Sequence, residues 1–116
     1  MSFAMRSHWW GPVLMVVVSG PVQAESAVAL GAELRKLQRE CDIVVDVWDV
    51  SEIDEVGVFA LTAAKRRAHA ADWGLAVVAD PAGPVTEAIE EAGATETLNP
   101  VSSRKEARRV LQLASP

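Results

Sequence analysis

The chain has 116 residues, half of them apolar and 23% charged, with a formal charge of −5 and one cysteine. That length suits a single domain over residues 1–116, and the acidic balance excludes nonspecific nucleic-acid binding, which needs lysines and arginines to displace counterions from phosphates. A lone Cys41 excludes an internal disulfide or a cysteine-based zinc site, fits a reducing cytoplasm, and is expected as a small buried apolar residue.

From the N-terminus, Ala4 to Trp9 read as an edge-like strand that Gly11-Pro12 turns into a second, Val13 to Val18. The second run is apolar on both alternating faces, so a central strand covered on both sides is expected. Arg6, this run and Val22-Gln23-Ala24 imitate a secretory signal with its cleavage site. The run is short, however, Gly11-Pro12 break it, and Val and Met fill it, which favours a strand. No stretch is long enough to cross a bilayer as a helix, and no membrane insertion is expected.

Ser19-Gly20-Pro21 is expected to end the second strand. Ala27, Leu30, Leu34, Leu37 and Cys41 then recur at spacings of three and four, the stripe of a helix whose wet faces carry Glu33, Arg35, Lys36, Arg39 and Glu40. Ile43-Val44-Val45 makes a buried strand, followed by an acidic turn at Asp54-Glu55-Val56-Gly57. Asp54 is the expected N-cap of a long helix whose inner side is read as Val56, Phe59 or Ala60, Ala63, Arg67 and Ala70. Asp72-Trp73-Gly74 closes it, and Leu75 to Ala79 is the next strand. Pro84 opens a short helix with Val85, Ala88, Ile89 and Ala92 inward, and Gly93 is its expected C′ residue. Thr95 to Leu98 reads as a last short strand, and Ser103 with Glu106 as the capping box of a final helix. Strand–helix–strand units of this length imply an α/β fold with a mostly parallel sheet and an N-terminal antiparallel hairpin.

Three stretches in this order resemble the STAS domains, the fold of bacterial anti-sigma factor antagonists. They are Val16-Val17-Val18-Ser19-Gly20-Pro21-Val22, then Val44-Val45-Asp46 with Ile53-Asp54-Glu55-Val56-Gly57, then Trp73-Gly74-Leu75-Ala76-Val77-Val78. The resemblance spans roughly Trp10 to Leu113. It implies a SpoIIAA-like mixed sheet with about four helices, no enzymatic activity and no cofactor. It also implies a protein partner: an anti-sigma factor of the serine-kinase type, whose capture frees a sigma factor. In the family, phosphorylation of a Ser or Thr just after the turn's Asp breaks that complex. Asp54 matches that Asp and Gly57 the turn's Gly, so the phosphosite-equivalent is Glu55, followed by Val56.

A glutamate cannot take phosphate, so the resemblance implies an absent or altered phosphoswitch. Its carboxylate still suits the positive end of a helix dipole and places about one charge where a phosphate would place ~1.5 to 2. The expected partner-binding residues are Asp54, Glu55, Val56, Gly57 and Trp48, the last on the same edge of the sheet as Glu55. Glutamate is also simply a good helix N-terminal residue, which accounts for the position without a partner. Within the family the alternative is a STAS subunit docking on a lipid-transport ATPase.

Readings outside the family fare worse. A receiver domain needs an acidic pair at the end of an earlier strand, where Ser19-Gly20-Pro21 stand, and a lysine after a late strand, where Asn99-Pro100 stand. A nucleotide-binding reading lacks a glycine-rich phosphate loop. Asp46, Asp49, Asp54 and Glu55 lack a basic or nucleophilic companion and read as a solvated acidic rim. His8 and His69 have no second metal ligand at useful spacing, and Trp9, Trp10 and Trp48 are candidates for packing or exposure. The basic group Arg104, Lys105, Arg108 and Arg109 reads as a solvated face.

Overall fold

Val13–Val22 (β2) is the strand around which the rest assembles, because both of its faces are apolar. Leu14, Val16 and Val18 enter one core layer, while Val13, Met15 and Val17 enter another on the opposite side of the sheet. The structure, a computed structural model, describes residues 2–114. Ala4–Trp10 (β1) pairs antiparallel with β2, and Ile43–Ile53 (β3) and Leu75–Val78 (β4) extend the sheet in parallel, in the order β1-β2-β3-β4. Glu25–Leu37 (α1), Glu55–Ala70 (α2), Pro84–Glu91 (α3) and Thr95–Leu98 (α4) follow in chain order, and Arg104–Ala114 (α5) is the last element among the described residues. The larger core holds residues of α1 to α4, whereas α5 brings Ala107 and Leu111 to the other face. The α/β fold with its opening hairpin and doubly covered central strand is as the sequence implies.

Several local expectations need correction. Ser19-Gly20-Pro21 does not end β2, which runs on to Val22 with register shifts against β3 at Val17/Ser19 and Gly20/Pro21. Gly20 has φ of 82°, and a Cβ there would run into the backbone of Ser2. The pair bends the strand instead of stopping it, as proline and glycine do at bulges. Its extension pairs Val22 with Ile53, so β3 likewise continues well past Val45.

Thr95 to Leu98 is not a strand but a single helical turn, which makes five helices among the described residues. Ala94 and Leu98 are buried four positions apart, and Asn99 in the left-handed region ends the turn. Only Val101 adds a parallel bridge, to Val78. Cys41 is buried as expected, though beyond the end of α1 and not on it.

In α2 the inner stripe is displaced. Gly57, Val58, Ala60, Leu61, Ala64 and Ala68 are buried, whereas Val56, Phe59 and Ala70 are exposed. Two apolar stripes compete on this alanine-rich helix, and the one carrying both Val58 and Leu61 takes the core.

Asp46 does not belong to a solvated rim, and the basic group of α5 is not simply a solvated face. Asp46 is buried, and its Oδ2 accepts from Arg104 Nε at 2.7 Å while Oδ1 accepts from the Trp48 N–H at 3.0 Å. Arg108 lies over the Trp10 ring, 4.8 Å from its centroid. Both contacts fasten α5 to the sheet.

Candidate functional site

Asp54 lies between β3 and α2 and is the N-cap of that helix. Its Oδ1 accepts from the Gly57 N–H at 2.9 Å, while Oδ2 accepts from the Ala24 N–H, also at 2.9 Å. One carboxylate therefore satisfies a donor in the first turn of α2 and pins the start of α1 beside it. The backbone donors, Ala24 before Gly57, hold the Asp54 carboxyl below its ordinary range because they stabilise the charged form.

Gly57 fixes how closely α2 approaches the sheet. A Cβ at this position would stand 2.6 Å from Ile53 Cγ1 and 2.9 Å from Val22 Cγ1. With that side of the first turn pressed on the strand ends, Glu55 and Val56 face outward. Farther along, Phe59 is 66% exposed, and across the groove Val28 of α1 is 64% exposed, with Val56 at 47%.

Two grooves flank this first stretch of α2. One, of about 660 Å³, lies against α3 and α4 and has Asp54, Glu55, Thr62, Arg66 and Glu91 in its lining. The other, of about 500 Å³, lies between α1 and α2 and has Val28, Ala32, Val56 and Ala63 in its walls. Phe59 lines both and forms the ridge between them. The arrangement offers contact area with acidic residues at the start of α2 and with Arg35, Lys36 and Arg67 along the groove between α1 and α2.

Of the residues singled out in the sequence, Asp54, Glu55, Val56 and Gly57 are gathered at one helix start. Trp48 is exposed but lines neither groove, so it is not brought into this cluster. Thr62 donates its hydroxyl to the Val58 carbonyl at 2.9 Å, and Ser51 is exposed on β3. Val28 and Phe59 are the residues that sequence reasoning missed. Val28 is one position away from the buried Ala27, and the periodicity of α2 allows Phe59 as a core residue. The burial of Val58 and Leu61 is the signal that turns Phe59 outward.

This fold is that of a STAS domain, and the chain belongs to that family: the family model described as "Mlab, STAS domain" matches residues 8–100. The structure is similar to that of an anti-sigma factor antagonist from Mycobacterium paratuberculosis, with a TM-score of 0.82 and 21% identity over 96% of this chain and 95% of the other. It is also similar to the anti-sigma factor antagonist SpoIIAA in its unphosphorylated form, with a TM-score of 0.74 and 14% identity over 92% and 96% of the two chains. These likenesses are likenesses of fold. Among curated proteins none matches the sequence significantly. Among the described residues no helix is long and apolar enough to cross a membrane.

Proposed function

We propose that this protein is a non-enzymatic docking module whose start of α2 binds a protein partner, as an anti-sigma factor antagonist in transcription control. The observation that carries this reading is the exposed apolar strip of Val28, Val56 and Phe59 beside the acidic cap at Asp54 and Glu55. Large apolar side chains grouped on an open surface and rimmed by charge are the usual mark of an interaction site. In this reading the partner is an anti-sigma factor of the serine-kinase type in the cytoplasm. Asp54, Glu55, Val56 and Phe59 make the contact, and Gly57 lets α2 sit low enough to present them. Trp48 is an outlying contact for a partner broad enough to reach β3.

Glu55 stands where the resemblance puts the phosphoacceptor. A carboxylate there is permanent, so docking is constitutive or answers to a signal other than phosphate. That same permanence favours a second reading, a subunit held on a transporter ATPase, because a stably docked subunit has no use for a removable charge.

Quantitative co-purification from the native host tests the proposal. Phe59 is largely exposed, so Phe59→Asp should leave stability within about 0.5 kcal/mol of wild type. If Phe59 is a hot spot worth about 2 kcal/mol or more, affinity for the partner should fall roughly thirtyfold and its recovery should drop with it. Undiminished recovery would refute a partner seated on α2. The identity of the recovered protein separates the two readings, and Glu55→Ser offered to a recovered kinase should create a phosphorylated serine.

A further inference from the structure

The opposite ends of α1 and α2 hold a second cluster, away from Glu55. A cleft of about 260 Å³ opens there, lined by Arg35, Gln38 and Arg39 on one side and Arg67 on the other, with Cys41 and Trp73 completing its wall. No carboxylate lines it. Arg67 Nε donates to Gln38 Oε1 at 2.9 Å, and Gln38 Nε2 donates to the Ala64 carbonyl at 2.7 Å, which locks both side chains. Arg67 Nη2 is closed off from solvent and has no acceptor among the described residues. Leaving a charged donor buried and unmatched is costly.

Basic residues at helix C-termini ordinarily answer the helix dipole, and that explanation falls short here. Two helix ends supply roughly −0.5 charge each, against the full positive charges of three guanidinium groups, so an excess of about +2 remains. Among the described residues the one ion pair is Arg104 with Asp46, so none of these three arginines is within 4.0 Å of a carboxylate. Asp42, close by in sequence, is engaged with the Gly74 N–H at 2.8 Å. Burial and the neighbouring Arg35 both push the Arg67 guanidinium below its ordinary value, as expected of a cation short of a counter-charge.

We propose that this cleft is a binding site for a small oxyanion of the phosphate type, held by Arg35, Arg39 and the accessible edge of Arg67. Guanidinium groups meet phosphate oxygens in paired, charge-assisted hydrogen bonds, and converging arginines suit that geometry. At about 260 Å³ the cleft is smaller than the ~300 to 1,000 Å³ typical of drug-sized ligands. It takes inorganic phosphate or the head of a small phosphate ester, and not a whole nucleotide. Arg35 and Arg67 also line the groove between α1 and α2, but at its far end from Glu55, Val56 and Phe59, so this site does not rest on the partner proposed for the start of α2.

The test is titration of the folded protein with inorganic phosphate and separately with glycerol 3-phosphate, at constant ionic strength set with chloride. Binding is read by calorimetry and by the NMR signals of the Arg67 Nε–H and the Trp73 indole N–H. The expected result is saturation with both signals moving, and about tenfold weaker binding in Arg39→Gln and in Arg35→Gln. Lys105→Gln removes the same charge from α5 and should leave the affinity within about twofold. Tighter binding of the ester than of phosphate identifies an organic phosphate as the source; equal binding identifies the free ion. Absence of saturation up to the order of 10 mM phosphate would overturn the proposal. So would equal weakening by Lys105→Gln, because the effect would then be a property of net charge.

Discussion

Ala24 donates its backbone N–H to Asp54 Oδ2 at 2.9 Å, across 30 positions of sequence, and does so from a strained backbone with φ of 51°. The bond joins the starts of two helices that follow successive parallel strands. It makes the geometry of the outward-facing groove between α1 and α2 depend on one carboxylate.

Asp54→Ala removes both hydrogen bonds and is expected to destabilise the protein by about 0.5 to 2 kcal/mol, chiefly from the lost cap, because water can take the exposed Ala24 N–H. Urea denaturation measures it. A change below the error of extrapolation would remove Asp54 from its structural role.

The same carboxylate gives a pH signature. Its folded value is depressed, while an unfolded aspartate titrates near about 3.9. The stabilisation is therefore fully present above the unfolded value and fades as pH falls towards the folded one. Wild type should lose more stability than Asp54→Asn as pH falls from about 5 to about 2. Parallel stability curves for the two proteins would argue against the depressed value.

Ala24 has φ of 51° and ψ of −114°, a region where a side chain is strained and glycine is at ease. Ala24→Gly relieves that strain at the expense of a more flexible unfolded chain, and a net gain of about 0.5 to 1 kcal/mol is expected. A lower melting temperature in the variant would contradict the strained conformation.

Gly57→Ala acts in the other direction. The added methyl meets Ile53 and Val22 at the strand ends, so α2 must lift or those side chains must move. The expected loss is about 1 to 3 kcal/mol, as for other overpacked sites, with weakened partner recovery because the exposed first turn is displaced. A fully stable Gly57→Ala protein would show that the close approach is not needed.

Arg104→Ala leaves the buried Asp46 carboxylate with only the Trp48 N–H as donor. The loss should be about 1 to 3 kcal/mol, and larger than for Arg109→Ala on the same helix. Equal effects of the two substitutions would make the pairing energetically idle.

The parts of the fold legible in the sequence were those where one pattern had no rival. The doubly apolar β2, the Asp54 cap, Pro84 at a helix start and Gly93 at a helix end each have a single physical reading, and each is found in place. Where two patterns were compatible, the sequence could not choose. The stripe of Val56, Phe59 and Ala63 is as regular as that of Gly57, Leu61, Ala64 and Ala68. Only packing of Val58 and Leu61 into the core decides between them. The two β-branched threonines at positions 95 and 97 read as strand, but burial of Ala94 and Leu98 on one side makes a helical turn. The pairing of Asp46 with Arg104 spans 58 positions, a separation beyond any local signal. In the candidate site, the acidic half was visible as a motif, whereas Val28 reached it only through the packing of α1 against α2.

Photo-crosslinking inside the native host addresses the docking surface most directly. Benzoylphenylalanine in place of Phe59 should yield one discrete conjugate with a single protein, and the same probe in place of the exposed Ser102 should yield none. A conjugate formed equally from both positions, or only from position 102, would contradict a partner seated on the first turns of α2.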